Sequence, residues 1–225
     1  MWKWLVQGLR NTLVITFFAL LMGVVLGVVV AAVRSSYDKN REAMALHKGF
    51  GYYIFTFVNG ICKLYLTVIR GTPVMVQLLI MYFIIFASSR NDILIATIAF
   101  GINSGAYVSE IIRAGIMAVD IGQTEAGRSL GLSQPTTMGA IILPQALKNV
   151  LPAIGNEFIS ILKETSVIGF LGVMDLTRFG EKVITRTADV FFPYISIALI
   201  YLAMVMVLNY LVKKLEKRLA KSDRR

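Results

Sequence analysis

A polar segment separates hydrophobic stretches of this chain and reads Glu125-Ala126-Gly127-Arg128-Ser129-Leu130-Gly131-Leu132-Ser133-Gln134-Pro135, followed after seven residues by Leu143-Pro144-Gln145-Ala146. Gly131 suits the position that follows a helix C-terminus, where a positive φ carries no Cβ penalty. Ser133 suits the N-cap of a second helix, and Pro135 suits its first turn. The segment is therefore predicted to form two short helices that meet at a tight bend and project from a hydrophobic bundle.

The rest of the chain is unusually apolar. Of its 225 residues, 56% are hydrophobic and 16% are charged, and the mean hydropathy is +0.70. Soluble domains are typically about 45–50% apolar and about 25% charged. A helix needs roughly 20 apolar residues to cross a bilayer, and uncharged runs of about that length occur at 11–33, 71–89 and 190–212. The sequence predicts an all-α membrane protein with a single transmembrane domain over residues 1–225.

Five spans are expected in this domain, near residues 9–33, 53–87, 93–115, 146–162 and 190–212, with a break in the second near Pro73. The segment 164–189 is too polar to span and is expected to form short interfacial helices. The formal net charge of +10 would suggest nucleic acid as the partner of a soluble protein. Here the basic residues cluster at the ends of the spans, so a lipid bilayer is the expected partner and nucleic acid is not.

The distribution of these charges predicts the orientation in the membrane. Thirteen of the 23 Lys and Arg residues lie in 34–48, in 116–148 and in the tail from Lys213, whereas seven lie on the opposite side. By the positive-inside rule, the C-terminus and the polar segment are cytoplasmic and the N-terminus is outside. One cysteine and one histidine exclude an internal disulfide and a His/Cys metal cluster, so no metal site is expected.

The spacing of the polar segment resembles the EAA loop of ABC importer permeases. The segment begins with Glu, Ala and a third, small residue, at positions 125–127. A glycine follows six residues after Glu125, and Leu-Pro-Gln-Ala follows at 143–146. The sequence departs from the family pattern once, since Gly127 replaces the second alanine. The resemblance implies that residues 120–146 are a cytoplasmic coupling loop. Its implied contacts with a separate ATPase are Glu125, Ala126, Gly127, Gly131 and Leu132.

Other stretches resemble the permeases of polar-amino-acid importers of the histidine/glutamine/arginine type. They are Gly8-Leu9-Arg10-Asn11-Thr12-Leu13, Arg70-Gly71-Thr72-Pro73 with Gln77, Asn103-Ser104-Gly105-Ala106-Tyr107-Val108-Ser109-Glu110-Ile111-Ile112-Arg113, Leu151-Pro152 with Asn156-Glu157-Phe158, and Leu162-Lys163-Glu164-Thr165-Ser166. The resemblance covers nearly the whole chain. It implies a type I ABC importer permease with a MetI-like fold, located in the bacterial inner membrane.

The sequence contains no G-x-x-x-x-G-K-[ST] motif, so ATP hydrolysis by a P-loop is not expected of this chain. We expect it to be a transporter subunit rather than an enzyme, and to bind no cofactor itself, with ATP and Mg²⁺ on a partner. The resemblance implies two ATPase subunits, a second permease chain that is identical or different, and an external amino-acid-binding protein. It also implies an alternating-access mechanism.

Two charged residues are the main candidates for contact with the substrate. Arg70 precedes the helix-breaking Gly71-Thr72-Pro73 and can bind a carboxylate bidentately, although it could instead extend to the membrane interface. Glu157 can accept a substrate ammonium group. Alternatively, it forms a structural ion pair with Lys163 or with a partner subunit. Polar groups inside spans are costly and usually serve a pathway or a helix contact.

Weaker candidates accompany these two, and they are Thr72, Gln77, Ser104, Tyr107 and Asn156. Gln77, Ser104 and Tyr107 fit interhelical hydrogen bonds equally well. Glu110 and Arg113, three residues apart on a helix, are expected to pair with each other. The rival function is a secondary transporter or channel for a small polar solute, driven by an ion gradient. Arg70 and Glu157 alone would fit that rival, but it has no need of the polar segment.

Overall fold

Every regular element of this protein is helical in the computed structural model, which describes residues 1–46 and 49–222. The helices are α1 (Trp2–Leu46), α2 (Phe50–Gly71), α3 (Val74–Ile80), α4 (Asp92–Met117), α5 (Ile121–Ser129), α6 (Gln134–Thr137), α7 (Leu143–Glu164), α8 (Leu176–Thr187) and α9 (Phe191–Ser222). A π-helical turn extends α3 over Met81–Ile85, and a second one, Met138–Ile142, connects α6 to α7. A 3₁₀ segment, Thr165–Leu171, follows α7.

Within the described residues, four helices are long and apolar enough to cross a membrane, and these are α1, α2, α4 and α9. The fourth predicted span corresponds to α7, which has the same 22-residue length as α2. The helix α7 is less apolar than these four, because it contains polar residues that include Lys148, Asn149, Asn156 and Glu157. The predicted all-α architecture and the break of the second span at Pro73 are both present.

The apolar runs predicted where the helices lie but not where they end. The predicted first span stopped at residue 33, whereas α1 continues to Leu46. The predicted fifth span stopped at residue 212, whereas α9 continues to Ser222. Both extensions contain Lys, Arg, Glu, Ala and Leu, which favour helix in water as well as in lipid. Three residues of the charge count, Lys48, Arg224 and Arg225, lie outside the described residues.

The bundle is organised around α4, which has the largest buried share of the spanning helices, and α1 forms the most extensive contact with it. Glycines allow this close approach. A Cβ added at Gly27 of α1 would lie 2.6 Å from Val108 Cγ1 and 2.9 Å from the Ser109 amide nitrogen. One turn earlier, a Cβ at Gly23 would lie 2.6 Å from Ser104 Oγ. Small residues four apart are a common means of bringing membrane helices together.

The connection between α7 and α8 is joined to the start of α1 by buried hydrogen bonds. Asn11 donates to the Met174 carbonyl at 2.8 Å, and the Leu176 amide donates to Thr12 Oγ1 at 3.4 Å. Asp175 is fully buried and caps α8 by accepting from the Arg178 amide at 2.7 Å. Burial raises the pKa of Asp175 to about 6, although this hydrogen bond opposes the shift. The predicted interfacial segment is therefore helical and packed against the bundle.

Replacing Gly27 with Ala is expected to destabilise the bundle, because the new methyl group would overlap Val108 and the α4 backbone. Overpacking of this kind costs roughly 1–3 kcal/mol. Gly60 of α2 is a matched control, since a Cβ there meets no atom within 4 Å of the described structure. Gly60→Ala is expected to maintain or raise the melting temperature in detergent. Equal melting temperatures for the two variants would contradict the proposed packing role of Gly27.

Candidate functional site

The first part of the 120–146 loop forms a helix with both ends capped. At the N-terminus of α5, Asp120 Oδ1 accepts from the Gly122 amide at 2.6 Å. At the C-terminus, the Leu132 amide donates to the Gly127 carbonyl at 3.1 Å and the Gly131 amide donates to the Arg128 carbonyl at 2.9 Å. These two bonds form a Schellman motif, which requires the positive φ of 76° observed at Gly131. The predicted position of Gly131, directly after the C-terminus of α5, is confirmed.

The second part of the loop returns along the first. Ser133 caps α6 as predicted, accepting from the Thr136 amide at 3.3 Å. Gly127 is buried against Thr137, and a Cβ added at Gly127 would lie 2.7 Å from Thr137 Cγ2. Gln145 donates to Gln123 Oε1 at 3.3 Å, so the Leu-Pro-Gln-Ala stretch contacts α5 directly. The loop is therefore a single packed unit in which glycine is the residue that fits beside Thr137.

The outer face of this unit is exposed and combines charged with apolar side chains. Of the five residues expected to contact an ATPase, Glu125, Ala126, Gly131 and Leu132 are exposed, whereas Gly127 is buried inside the loop. Two large apolar side chains of the loop that were not singled out from the sequence, Ile121 (76%) and Leu130 (79%), are also exposed, as is Met117 (77%) at the end of α4. Apolar residues inside a segment too polar to span a bilayer were the signal that could have identified them. An exposed apolar patch with a polar rim is typical of a protein–protein contact.

A second group of candidate residues surrounds the break between α2 and α3. Since Pro73 has no N–H, carbonyl oxygens near the break lose their helical donors. The Gln77 side-chain nitrogen donates to the Ile69 carbonyl at 2.8 Å and to the Thr72 carbonyl at 3.0 Å. Asn103 of α4 in turn donates to Gln77 Oε1 at 2.9 Å. Gln77 therefore forms an interhelical hydrogen bond with α4, which the sequence offered as the alternative to contact with the substrate.

Arg70 lies at the end of α2 and faces α4. Its guanidinium is 3.6 Å from the Glu110 carboxylate and 5.8 Å from the centroid of the Tyr107 ring. The Arg70 side chain remains 45% exposed, so it is available to a further ligand. Glu110 also pairs with Arg113 at 3.3 Å, as predicted. Arg113 contacts Asp38 of α1 at 3.0 Å, a partner that the sequence analysis did not identify.

Glu157 approaches α4 from α7. It is half-buried and lies beside Ser104, while the neighbouring Asn156 is exposed. No ion pair involves Glu157 among the described side chains of residues 1–39 and 49–220, so the alternative pair with Lys163 is absent there. Ser104 and Tyr107 are three residues apart on α4 and therefore neighbours on its surface. Arg70 and Glu157 thus approach adjacent positions of the same helix with opposite charge.

The chain matches known transport proteins over almost all of its length. Residues 23–221 match the family described as "Binding-protein-dependent transport system inner membrane component". A Rickettsia conorii protein with a GlnP designation is 38% identical over 218 residues, which cover 96% of this chain and 92% of that protein. The glutamine transport system permease protein GlnP of Escherichia coli K12 is 34% identical over 220 residues, with the same coverage of both chains.

Solved structures give the same result. A crystal structure described as an amino acid ABC transporter with histidines superposes with a TM-score of 0.83 at 40% identity, covering 96% of this chain and 94% of that one. The inward-facing MetNI methionine ABC transporter superposes with a TM-score of 0.75 at 16% identity and 97% coverage of both chains, which confirms the MetI-like fold. The chain belongs to the family of inner membrane components of binding-protein-dependent transport systems. It is a multi-pass membrane transporter subunit, as predicted.

Replacing Gln77 with Met is expected to destabilise the break, because the carbonyls of Ile69 and Thr72 would lose their donor while side-chain length is nearly conserved. A buried polar group without a partner costs roughly 1–3 kcal/mol. The exposed Gln7 provides the control Gln7→Met. The melting temperature in detergent is expected to fall only for Gln77→Met. Equal melting temperatures for the two variants would show that Gln77 does not stabilise the break.

Gly127→Ala is expected to disturb the 120–146 loop, and Thr137→Ala is expected to restore part of the loss by removing the overlapping Cγ2 and Oγ1 atoms. Gly139, where an added Cβ meets nothing within 4 Å of the described structure, provides the control Gly139→Ala. Melting curves of the wild type, the two single variants and the double variant measure the coupling, and Gly139→Ala is expected to melt as the wild type does. Purely additive effects of Gly127→Ala and Thr137→Ala would rule out the close packing of these two positions.

Proposed function

We propose that this chain forms part of the translocation pathway of an ATP-driven amino-acid importer and transmits the conformational change of a separate ATPase. The observation that carries the proposal is the 120–146 loop, which is internally packed and presents Glu125, Ile121 and Leu130 on an exposed face. A loop capped at Asp120, Gly131 and Ser133 can move as a rigid unit. A gradient-driven transporter has no need of such a unit, so the geometry favours the ATP-driven function.

The substrate proposed for the pathway is a polar amino acid. Arg70 and Glu157 would bind its carboxylate and ammonium groups, with Ser104 and Tyr107 between them and Thr72, Gln77 and Asn156 nearby. Opposite charges approaching neighbouring positions of α4 suit a zwitterion. Glutamine is the first substrate to test, because the E. coli relative is named a glutamine transport system permease. An amino-acid transporter is also the description of the structure that is 40% identical.

The proposed assembly contains two permease chains, two ATPase subunits and an external binding protein. ATP and Mg²⁺ would bind to the ATPase subunits, and this chain would catalyse no reaction. The N-terminus would face outward and the 120–146 loop the cytoplasm, in agreement with the distribution of Lys and Arg. Closure of the ATPase subunits would move the loop. The helix α4 precedes the loop and would transmit the motion to Tyr107, and α7 follows the loop and would transmit it to Glu157. Access would thereby alternate between the two sides.

Charge reversal of the loop tests its coupling role. Glu125→Lys is expected to abolish either co-purification of the ATPase or its stimulation by substrate-loaded binding protein, because the exposed carboxylate would no longer pair with a partner cation. The exposed Glu216 of α9 provides the control Glu216→Lys, which is expected to behave as the wild type. Normal co-purification and normal stimulation in Glu125→Lys would remove Glu125 from the contact.

Neutralising Glu157 tests the substrate site. Glu157→Gln is expected to lower glutamine uptake roughly 10- to 100-fold, the equivalent of one charge-assisted hydrogen bond, while ATPase activity of the assembled complex remains. Glu216→Gln, a matched change on an exposed surface, is expected to leave uptake unchanged. Uptake rates and ATPase rates are measured on the same proteoliposomes. Wild-type uptake kinetics in Glu157→Gln would exclude Glu157 from the site.

A further inference from the structure

A strongly basic cavity lies between α1, α2 and α4, toward the end of the bundle from which the 120–146 loop projects. Its volume is about 510 Å³. Four cationic side chains line it together with one carboxylate, and the full lining is Arg34, Lys63, Leu66, Thr67, Arg70, Gly71, Glu110 and Arg113. The substrate site proposed above uses only Arg70 of these residues.

Among the side chains that the structure describes, at residues 1–39 and 49–220, the carboxylates near the cavity leave two of its cations without an ion pair. Glu110 pairs with Arg70 and Arg113, and Asp38 pairs with Arg113. Among the residues that the structure describes, Arg34 and Lys63 form no ion pair. The Arg34 Nε atom is buried and, within the same described ranges, has no hydrogen-bond partner. Arg34 is half-buried, and removing a cation from water without a counter-charge is costly, so this arrangement favours an anionic ligand.

Exposed apolar side chains neighbour the α2 residues that line the cavity. Three residues of α2 near Lys63 and Thr67 in sequence have exposed apolar side chains, and they are Ile61 (52%), Leu64 (64%) and Val68 (48%). A cationic cavity bordered by an exposed apolar surface matches an amphiphile with an anionic head, whereas a soluble anion would use only the cavity. Basic pockets between transmembrane helices are known to accommodate phospholipid headgroups.

We propose that this cavity binds the phosphate of an anionic phospholipid headgroup. Arg34 and Lys63 supply its counter-charge, and the acyl chains lie against Ile61, Leu64 and Val68. The Thr67 hydroxyl, which donates to the Lys63 carbonyl at 2.9 Å, retains lone pairs and contributes no positive charge. The proposal depends only on the chain lying in a membrane, and it remains valid whichever solute is transported.

The test is native mass spectrometry of the purified complex, delipidated in detergent and titrated with dioleoylphosphatidylglycerol or dioleoylphosphatidylcholine. The wild type is expected to bind phosphatidylglycerol more tightly. Arg34→Gln/Lys63→Gln is expected to weaken that binding roughly thirtyfold, and Lys63→Gln alone roughly fivefold. The control Lys213→Gln/Lys214→Gln removes the same charge from an exposed part of α9 and is expected to bind as the wild type does.

Three results would overturn the proposal. They are equal affinity for the two lipids, equal loss in the Lys63 variant and in the α9 control, and displacement of phosphatidylglycerol by millimolar inorganic phosphate, which would indicate a site for soluble anions. Absence of bound phosphatidylglycerol from the complete complex would also contradict it, since a second permease chain would then cover the α2 face. Lys63 is exposed, so its single substitution provides a readout even if the double variant does not fold.

Discussion

The carbonyl oxygens freed where α2 ends at Gly71 impose a condition on the surrounding helices, because lipid offers them no donor. Gln77 meets it with one amide group that donates to the Ile69 and Thr72 carbonyls, and Asn103 fixes the orientation of that amide from α4. The chain therefore bends at a defined place. Arg70, the residue before the bend, is brought against Tyr107 and Glu110 instead of extending along α2 into lipid.

This arrangement makes α4 the element that connects the two candidate sites. Its buried face packs closely against α1 through glycines, its middle lies beside both Arg70 and Glu157, and its C-terminus leads directly into the 120–146 loop. A helix packed closely against its neighbours can transmit a displacement of the loop without unfolding. The same geometry brings Arg34, Lys63 and Arg113 together at the end of the bundle near the loop, where their charges are only partly neutralised.

The sequence predicts features that depend on neighbouring residues better than features that depend on distant ones. The helix C′ position of Gly131, the N-cap of Ser133 and the break at Pro73 were predicted correctly, because each depends on a few adjacent residues. The ends of α1 and α9 were not predicted. Hydropathy identifies the part of a helix that lies in the bilayer, and it does not show how far the helix continues into water. The pairs Arg113–Asp38 and Gly127–Thr137 could not be predicted, because they depend on how helices cross and how a loop returns.

We propose that ATP hydrolysed by a partner, and not an ion gradient, drives solute through this chain. The most direct measurement is accumulation of radiolabelled glutamine in proteoliposomes that contain the full complex and its binding protein, with ionophores present to remove all ion gradients. Accumulation is expected to require ATP on the side of the 120–146 loop and to persist with the ionophores. Uptake that stops with the ionophores and proceeds without ATP would contradict it.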